Sequence, residues 1–276
     1  MNSKPAIGVI ISTFNAPEYL DRVLQGYCSQ SRSPDELIVA DDGSKEETAQ
    51  VVAKYTLLAP FAVRHVWHED CGFRLAEIRN HAIASATADY IIFSDGDCIP
   101  HPRYIEDHFK AMHTGCFVTG KRLLIGKNLS PDFVWNGALS SIFFCLTGRM
   151  SGCHHLVHMP GVVTSKKGLG GLRGCNLAIF RSDLLAVNGF NEQITGWGRE
   201  DSELVARLFA FGLKRLETPF SALVFHLWHP ENSRSSLAEN DRLLEETIRS
   251  GNFRCSSGIS KESLSSDMSG FENSPA

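Results

Sequence analysis

The first hundred residues alternate short apolar runs with segments in which apolar residues recur at helical spacing. The apolar runs predict buried strands at residues 7–12, 37–40, 63–67 and 90–94. Between the first two runs, a helical i, i+3, i+4, i+7 pattern is carried by Leu20, Val23, Leu24 and Tyr27. Strands that alternate with helices in this way predict βαβ units, and therefore a parallel sheet in an α/β fold.

The second half of the chain has a weaker pattern. Residues 126–174 are irregular and rich in Gly, His and Ser, which predicts a mobile substrate-side region with some short helix. Further strands are predicted at residues 176–181 and 223–227, and a helix at 200–211. From residue 251 to 276 there are eight serines and few large apolar residues, so this tail is predicted to be disordered.

Composition places the chain among ordinary globular proteins. It has 276 residues, 43% of them hydrophobic, and a net charge of -4, which argues against a nucleic-acid-binding protein with a basic face. No stretch approaches the roughly 18 apolar residues of a membrane-spanning helix, and the start lacks the apolar core of a secretory signal. The eight cysteines include no CxxC pair, which predicts reduced cytosolic thiols rather than disulfides. We therefore expect a cytoplasmic protein.

Polar side chains directly follow three of the predicted strands. The first strand leads into Thr13 and Asn15, the second into Asp41-Asp42, and the fourth into Asp95-Gly96-Asp97. In a parallel sheet these positions share one edge, where ligands of open α/β folds bind. Carboxylates there can hydrogen-bond a base or ribose, or hold a divalent cation against phosphates. A lone Asp-Gly pair is more often only a turn, but three coincident sites favour nucleotide binding.

A second dense cluster lies at residues 196–201, in the order Gly-Trp-Gly-Arg-Glu-Asp. Trp197 between two glycines suggests a flexible loop that carries an aromatic platform for a sugar ring. Glu200 and Asp201 begin the predicted helix, where the helix dipole favours an ionised carboxylate. Such a carboxylate can accept a proton from an attacking hydroxyl. Helix capping alone would explain the acids but not the whole Trp-Gly-x-Glu-Asp pattern.

Basic and imidazole side chains supply further candidates. Arg74 and Arg79 lie on or near the helix that enters the strand-end edge, and each is either a phosphate clamp or an ordinary solvated helix arginine. His226 and His229 follow the last predicted strand, as core residues or as metal ligands beside Asp97. A zinc site in the Cys153-His154-His155 segment is disfavoured, because it lacks paired ligands at finger spacing.

Taken in this order, the motifs resemble the GT-A-fold glycosyltransferases of family 2, in particular the subgroup with a galactosyltransferase-like C-terminal segment. The similarity covers residues 6–235 and includes the Asn-Gly-Phe-Asn-Glu motif at 188–192. The resemblance implies a Rossmann-like nucleotide-binding sheet with helices on both faces, mixed toward the C-terminal half. It also implies one domain over residues 1–250, with a nucleotide-sugar half to about residue 120 and an acceptor and catalytic half beyond it.

The resemblance also implies residue roles. Asp97 and Asp95 would hold Mn²⁺ or Mg²⁺ together with His226, for which His229 is the alternative. Asp201 would be the catalytic base, and Glu200 would bind sugar hydroxyls. The residues expected to bind the UDP-sugar donor are Thr13, Asn15, Asp42, Arg74, Arg79, Asp95, Asn176 and Trp197.

The implied reaction is transfer of a hexose from a UDP-sugar to a hydroxyl of a saccharide or lipid-linked glycan, with inversion at the anomeric carbon. By analogy with such enzymes, the protein is expected to act at the inner face of a membrane. Two alternatives stay open: a sugar-nucleotide nucleotidyltransferase, and a glycan-binding relative without catalysis. The first is disfavoured because residues 12–17 contain no glycine, and the second because the candidate acids and His226 are all present. Arg199 stands where relatives often have glycine.

Overall fold

The computed structural model describes residues 4–231 and 233–260. Its strands are β1 (Ile7–Thr13), β2 (Glu36–Asp41), β3 (Ala62–Trp67), β4 (Tyr90–Asp95), β5 (Cys98–Pro100), β6 (Cys116–Thr119), β7 (Lys121–Ile125), β8 (Met150–Ser151), β9 (Thr164–Lys166), β10 (Leu177–Phe180), β11 (Lys214–Glu217) and β12 (Leu223–His226). Its α-helices are α1 (Pro17–Cys28), α2 (Glu46–Leu58), α3 (Leu75–Ser85), α4 (Tyr104–Ala111), α5 (Ala138–Leu146), α6 (Arg181–Ala186), α7 (Glu200–Ala210) and α8 (Leu237–Ser250).

The larger sheet has the strand order β3-β2-β1-β4-β10-β6-β11-β9. Strands β1 to β4 are parallel, whereas β10 runs antiparallel to β4 and makes the sheet mixed. Strand β1 is buried along its whole length, with Val9 in the core on one face of the sheet and Ile10 in the core on the other. Two covered faces explain why these strands are continuous apolar runs rather than alternating ones. The predicted α/β fold with a mixed C-terminal half is therefore confirmed.

The register of the parallel strands places their carboxyl ends together. Thr13 pairs with Asp41 across β1 and β2, and Ser12 pairs with Asp95 across β1 and β4. The three polar strand ends predicted to share an edge of the sheet therefore do so.

A smaller sheet, in the order β5-β12-β7-β8, begins directly after this edge. Strand β12 is antiparallel to β5 and parallel to β7, and His226 lies opposite both Cys98 and Leu124. The Leu227 N–H also donates to the Asp97 carbonyl, over 2.9 Å. These contacts bring the end of β12 to the Asp97 turn, although more than a hundred residues of sequence separate them.

Asn176 joins the two sheets. Its side-chain amide donates to the carbonyls of Lys121 and Ala222, over 3.0 and 2.7 Å, and its Oδ1 lies 2.9 Å from His108 Nε2. The residue is buried, and each of its side-chain polar atoms has a protein partner. These contacts indicate a structural role for Asn176, and its part in donor binding stays a prediction.

The irregular region between residues 126 and 174 contains α5, β8 and β9. Cys145 at the end of α5 forms a disulfide with Cys153, so the prediction of reduced thiols is wrong for this pair. The chain reverses through a turn at Gly148, which brings the two Cα atoms to 6.1 Å. A search for CxxC spacing misses such a pair, because its members are eight residues apart. The other six cysteines are free.

Part of the predicted disordered tail is packed against the domain. Cys255 is buried, and Ile259 packs on the core beside α6 and α7. The Asn188 side chain donates to the Cys255 carbonyl and accepts from the Ser260 N–H, both over 2.9 Å. The disorder prediction is therefore wrong for residues 251–260, and residues 261–276 lie outside the described part of the chain. Within residues 4–231 and 233–260, no helix has both the length and the apolar character needed to cross a membrane.

We expect Asn176→Ala to lower the free energy of unfolding by roughly 2–4 kcal/mol, because it removes the amide donor to the Lys121 and Ala222 carbonyls and leaves the buried His108 Nε2 without its partner. Urea unfolding measures this change, with Asn136→Ala on the exposed surface as the control. Wild-type stability combined with weakened donor binding would contradict the structural role and favour the predicted contact of Asn176 with the donor.

Candidate active site

The strand-end edge carries one hydroxyl without a partner. Thr13 Oγ1 is buried and makes no hydrogen bond to any described residue. Gly96 lies against it, since a Cβ at Gly96 would stand 3.0 Å from this oxygen. The Gly96 N–H donates to the Ser12 carbonyl over 2.7 Å, which holds the turn close to β1. A close backbone approach beside an unpaired hydroxyl suits a surface that receives a polar ligand.

Asp42 is held in place from two sides. Its Oδ1 lies 2.7 Å from His68 Nε2, and its Oδ2 accepts the Arg74 N–H over 2.9 Å. Burial raises the pKa of Asp42, and these hydrogen bonds oppose that rise. Sequence reasoning missed His68, because it follows β3 without any recognisable motif.

Arg74 and Asn15 lie at the edge, but their side chains bind protein groups. The Arg74 guanidinium contacts Glu77 and the Glu69 carbonyl. Asn15 Oδ1 accepts the Lys45 N–H over 3.0 Å, and its own N–H donates to Ser44 Oγ over 2.8 Å. Asn15 thus connects the loops that follow β1 and β2.

Arg79 is the central charge of the site, with a relative exposure of 1%. Its Nε donates to Ser12 Oγ over 2.9 Å, and its Nη2 donates to Asp95 Oδ1 over 3.0 Å. Its Nη1 lies 3.8 Å from Glu200 Oε1. The guanidinium therefore connects β1, β4 and the start of α7.

The acids of the tryptophan loop meet those of the strand ends around Arg79. A Cβ at Gly174 would lie 3.5 Å from both Arg79 Nη1 and Asp201 Oδ2, so Gly174 leaves room for these groups to approach. Arg79 Nη1 and Glu200 Oε2 are buried without hydrogen-bond partners among the described residues. The structure thus joins two clusters that are a hundred residues apart in sequence.

Burial disfavours the charged form of two of these carboxyl groups. It raises the pKa of Glu200 to about 7, an effect that the neighbouring Asp201 strengthens and Arg79 opposes. It also raises the pKa of Asp95 to about 6, where Arg79 again opposes the rise. The site therefore concentrates acids whose protonation changes near neutral pH, which is typical of catalytic centres.

Asp97, His226 and His229 form a candidate metal centre. One ligand atom from each lies within 4.8 Å of the others. His229 Nε2 is 3.1 Å from Asp97 Oδ2, and His226 Nε2 is 3.7 Å from the same oxygen. The hydrogen bond to Asp97 raises the pKa of His229 to about 9, whereas burial lowers the pKa of His226.

His226 and His229, which the sequence offered as alternative ligands, therefore both lie close to Asp97 and can bind one metal ion together with it. Asp95 is outside this group and lies instead near Cys98 and Cys175, while its Oδ1 accepts a hydrogen bond from Arg79. Two imidazole nitrogens and one carboxylate oxygen suit Mn²⁺ better than Mg²⁺, which prefers oxygen ligands. The residues present thus fit a divalent transition metal.

Trp197 stands on a loop with unusual backbone geometry. Gly196 and Gly198 have φ values of 71° and 101°, and Arg199 also adopts a positive φ, of 79°. The Trp197 side chain is 39% exposed and borders a cavity of about 490 Å³. The cavity is also lined by Cys71, Phe73, Arg74, Thr195, Gly196, Ser233, Ser235 and Ser236. The Trp197 ring is therefore partly accessible, with the Arg234 guanidinium 5.5 Å from its centroid, and its role as a sugar platform stays a prediction.

Comparison with known proteins gives two consecutive matches. The profile described as Glycosyl transferase family 2 matches residues 8–152, and that described as N-terminal domain of galactosyltransferase matches residues 161–229. The chain belongs to glycosyl transferase family 2. The resemblance drawn from the motifs is confirmed.

Named relatives match most of this chain but less of their own length. Validoxylamine A glucosyltransferase of Streptomyces hygroscopicus subsp. limoneus is 27% identical, over 76% of this chain and 49% of its own. Chondroitin synthase of Escherichia coli is 25% identical, over 75% of this chain and 32% of its own. The chain thus spans half or less of these two relatives.

Solved structures confirm the GT-A fold. S. aureus TarS 1-349 in complex with UDP-GlcNAc superimposes with a TM-score of 0.62 at 17% identity, covering 88% of this chain and 66% of that one. Its complex with UDP gives a TM-score of 0.61 at 18% identity, covering 88% and 65%. At this identity the likeness establishes the fold alone.

We expect Glu200→Gln to stabilise the metal-free protein at pH 8 by roughly 2 kcal/mol. The folded-state pKa of Glu200, about 7, lies above its ordinary value of 4.5, so folding favours the protonated form. Protonated Glu200 therefore contributes its full stabilisation of the fold below about pH 4.5, and this contribution is lost as the pH rises through about 7. The advantage of the variant therefore disappears on acidification.

Urea unfolding at a series of pH values, in the presence of a chelator, measures this difference. Glu245→Gln on the exposed face of α8 is the matched control and should show no such pH dependence. An advantage of Glu200→Gln that does not change with pH would contradict the raised pKa.

Proposed function

We propose that this chain is an inverting, metal-dependent hexosyltransferase that moves a sugar from a UDP-sugar to a hydroxyl of a saccharide or lipid-linked glycan. The observation that carries the proposal is the junction of two groups at one edge of the sheet. Asp97, His226 and His229 form one group, while Arg79 with Asp95, Glu200 and Asp201 forms the other. Family membership supports the reaction class.

The donor is proposed to lie along the carboxyl ends of β1, β2 and β4. Thr13 offers an unpaired hydroxyl there, and Asp42 a fixed carboxylate. Trp197 offers a partly exposed ring beside the cavity. TarS has been solved in complex with UDP and with UDP-GlcNAc, which supports a UDP-sugar as the donor class for this chain.

Asp97, His226 and His229 would hold the metal ion, with Mn²⁺ preferred for its tolerance of nitrogen ligands. When bound, such an ion offsets the negative charge that develops on the departing diphosphate. Asp95 is not proposed as a ligand of this ion, because Arg79 donates a hydrogen bond to its Oδ1.

Asp201 is proposed as the base. It lies in the first turn of α7, where the helix dipole favours the ionised carboxylate. Its Oδ1 accepts a hydrogen bond from Ser202 Oγ over 3.1 Å, and its Oδ2 faces Gly174. Oδ2 is therefore the atom proposed to take the proton from the acceptor hydroxyl as that oxygen attacks the anomeric carbon, which inverts its configuration.

The acceptor class rests on the relatives. Those named above act on validoxylamine A or make chondroitin, so a saccharide hydroxyl is the acceptor that they support. A purely glycan-binding role is disfavoured, because gathering several carboxylates around one buried guanidinium lowers stability without improving binding to a neutral sugar.

We expect Asp201→Asn to keep UDP affinity but to reduce transfer by about 10²–10⁴-fold, because the amide cannot accept the proton. Release of UDP from a panel of UDP-hexoses measures turnover, and calorimetry measures affinity. Glu245→Gln should behave as wild type. Normal turnover by Asp201→Asn would refute the base assignment.

We expect Asp97→Ala to weaken Mn²⁺-dependent UDP binding at least about tenfold, because the centre loses its carboxylate. Calorimetry with and without Mn²⁺ tests this. His158→Ala is the matched control, since His158 belongs to a separate group with His101 and Asp107. If Asp97→Ala binds UDP with unchanged affinity, the proposed metal centre is wrong. If only His158→Ala loses Mn²⁺-dependent UDP binding, the metal site is instead the group of His101, Asp107 and His158.

A further inference from the structure

Helix α5 has its polar and apolar faces reversed. Its one fully buried residue is Ser141, whereas Leu139, Ile142, Phe143 and Leu146 are exposed. These four follow the i, i+3, i+4, i+7 spacing and so form one continuous apolar stripe. Leu139 and Leu146 are 85% and 82% exposed. A stripe of this kind on the surface indicates contact with an apolar partner.

The helix is firmly attached to the domain despite its exposed stripe. Cys145 is tied to Cys153 by the disulfide, and Phe144 packs against the main core. After the helix, the chain returns through β8, which pairs with β7. The stripe is therefore presented by a fixed scaffold.

Basic side chains stand at the base of α5. The Arg149 guanidinium lies 5.4 Å from the Phe144 ring. The Arg149 carbonyl accepts the Gly126 N–H, and Lys127 is the residue that follows Gly126 in sequence. Across residues 121–176 the sequence has seven Lys and Arg residues and a single acid, Asp132, although the whole chain has a net charge of -4. Lys121 and Lys166 pair with Glu217, so the basic residues at the base of α5 are Arg149, which contacts Phe144, and Lys127, which follows Gly126.

The base of α5 is also connected to the candidate metal centre. Lys127 Nζ lies 4.6 Å from the Trp228 ring, and Trp228 lies between His226 and His229 in sequence. Strand β7, which leads into this region, runs parallel to β12 with Leu124 opposite His226. The stripe and the metal centre therefore follow the carboxyl ends of neighbouring strands.

We propose that α5, with Lys127 and Arg149, docks the protein on a bilayer that carries anionic headgroups. An exposed apolar helical stripe beside basic residues is the combination that binds such a surface. A symmetric contact with a second copy is disfavoured, because it would bring the same basic patch against itself. Docking would face the active site toward acceptors held at the membrane.

Flotation of the full chain with vesicles tests this proposal, without donor or acceptor, so its result is independent of the transfer reaction. Wild type should float with phosphatidylcholine vesicles that contain phosphatidylglycerol, and less with phosphatidylcholine alone. Leu139→Ser/Leu146→Ser should reduce binding at least about tenfold. Arg149→Gln should reduce it about fivefold.

Leu57→Ser/Leu58→Ser is the matched control, because these leucines of α2 are also exposed but lie outside the stripe. It should float as wild type does, and thermal unfolding should show that every variant is folded. Wild type that stays unbound, or α5 variants that bind normally, would overturn the proposal. If wild type binds no vesicles but forms a dimer in sedimentation velocity, and the α5 variants lose that dimer, the stripe is instead a contact with a second copy of the chain.

Discussion

The buried Arg79 guanidinium is the interaction on which the site depends. A charge removed from water must be paired, and Ser12, Asp95 and Glu200 supply its partners. Because these partners come from β1, β4 and α7, the pairing fixes the strand ends and the start of α7 relative to each other. Without Arg79, the carboxylates of Asp95 and Glu200 would lose the positive charge that lies between them.

The second constraint is the junction of the two sheets. Asn176 links β10 to the start of β7 and to the residue before β12. The Leu227 N–H holds the end of β12 against the Asp97 carbonyl. Together these bonds deliver two imidazoles to a carboxylate from the other half of the chain. The candidate metal centre and the proposed base thus depend on one packing arrangement.

The sequence predicted the parts of this protein that depend on local pattern. Apolar runs located the strands, and the acids after them located the edge, since parallel strands end together. It did not predict His68, the Cys145–Cys153 disulfide or the packing of Cys255, because each depends on contacts that no local motif announces. Nor did it predict that the Asn176 amide binds the Ala222 carbonyl at the sheet junction, because that contact also joins distant parts of the chain.

The proposed function requires the metal and the nucleotide to meet at the carboxyl ends of β1 and β4. A crystal structure with Mn²⁺ and UDP, with anomalous scattering recorded for manganese, would locate both. We expect an anomalous peak bonded to Asp97, His226 and His229, with the diphosphate beside it. A peak at His101, Asp107 and His158, or UDP bound away from the strand ends, would contradict it.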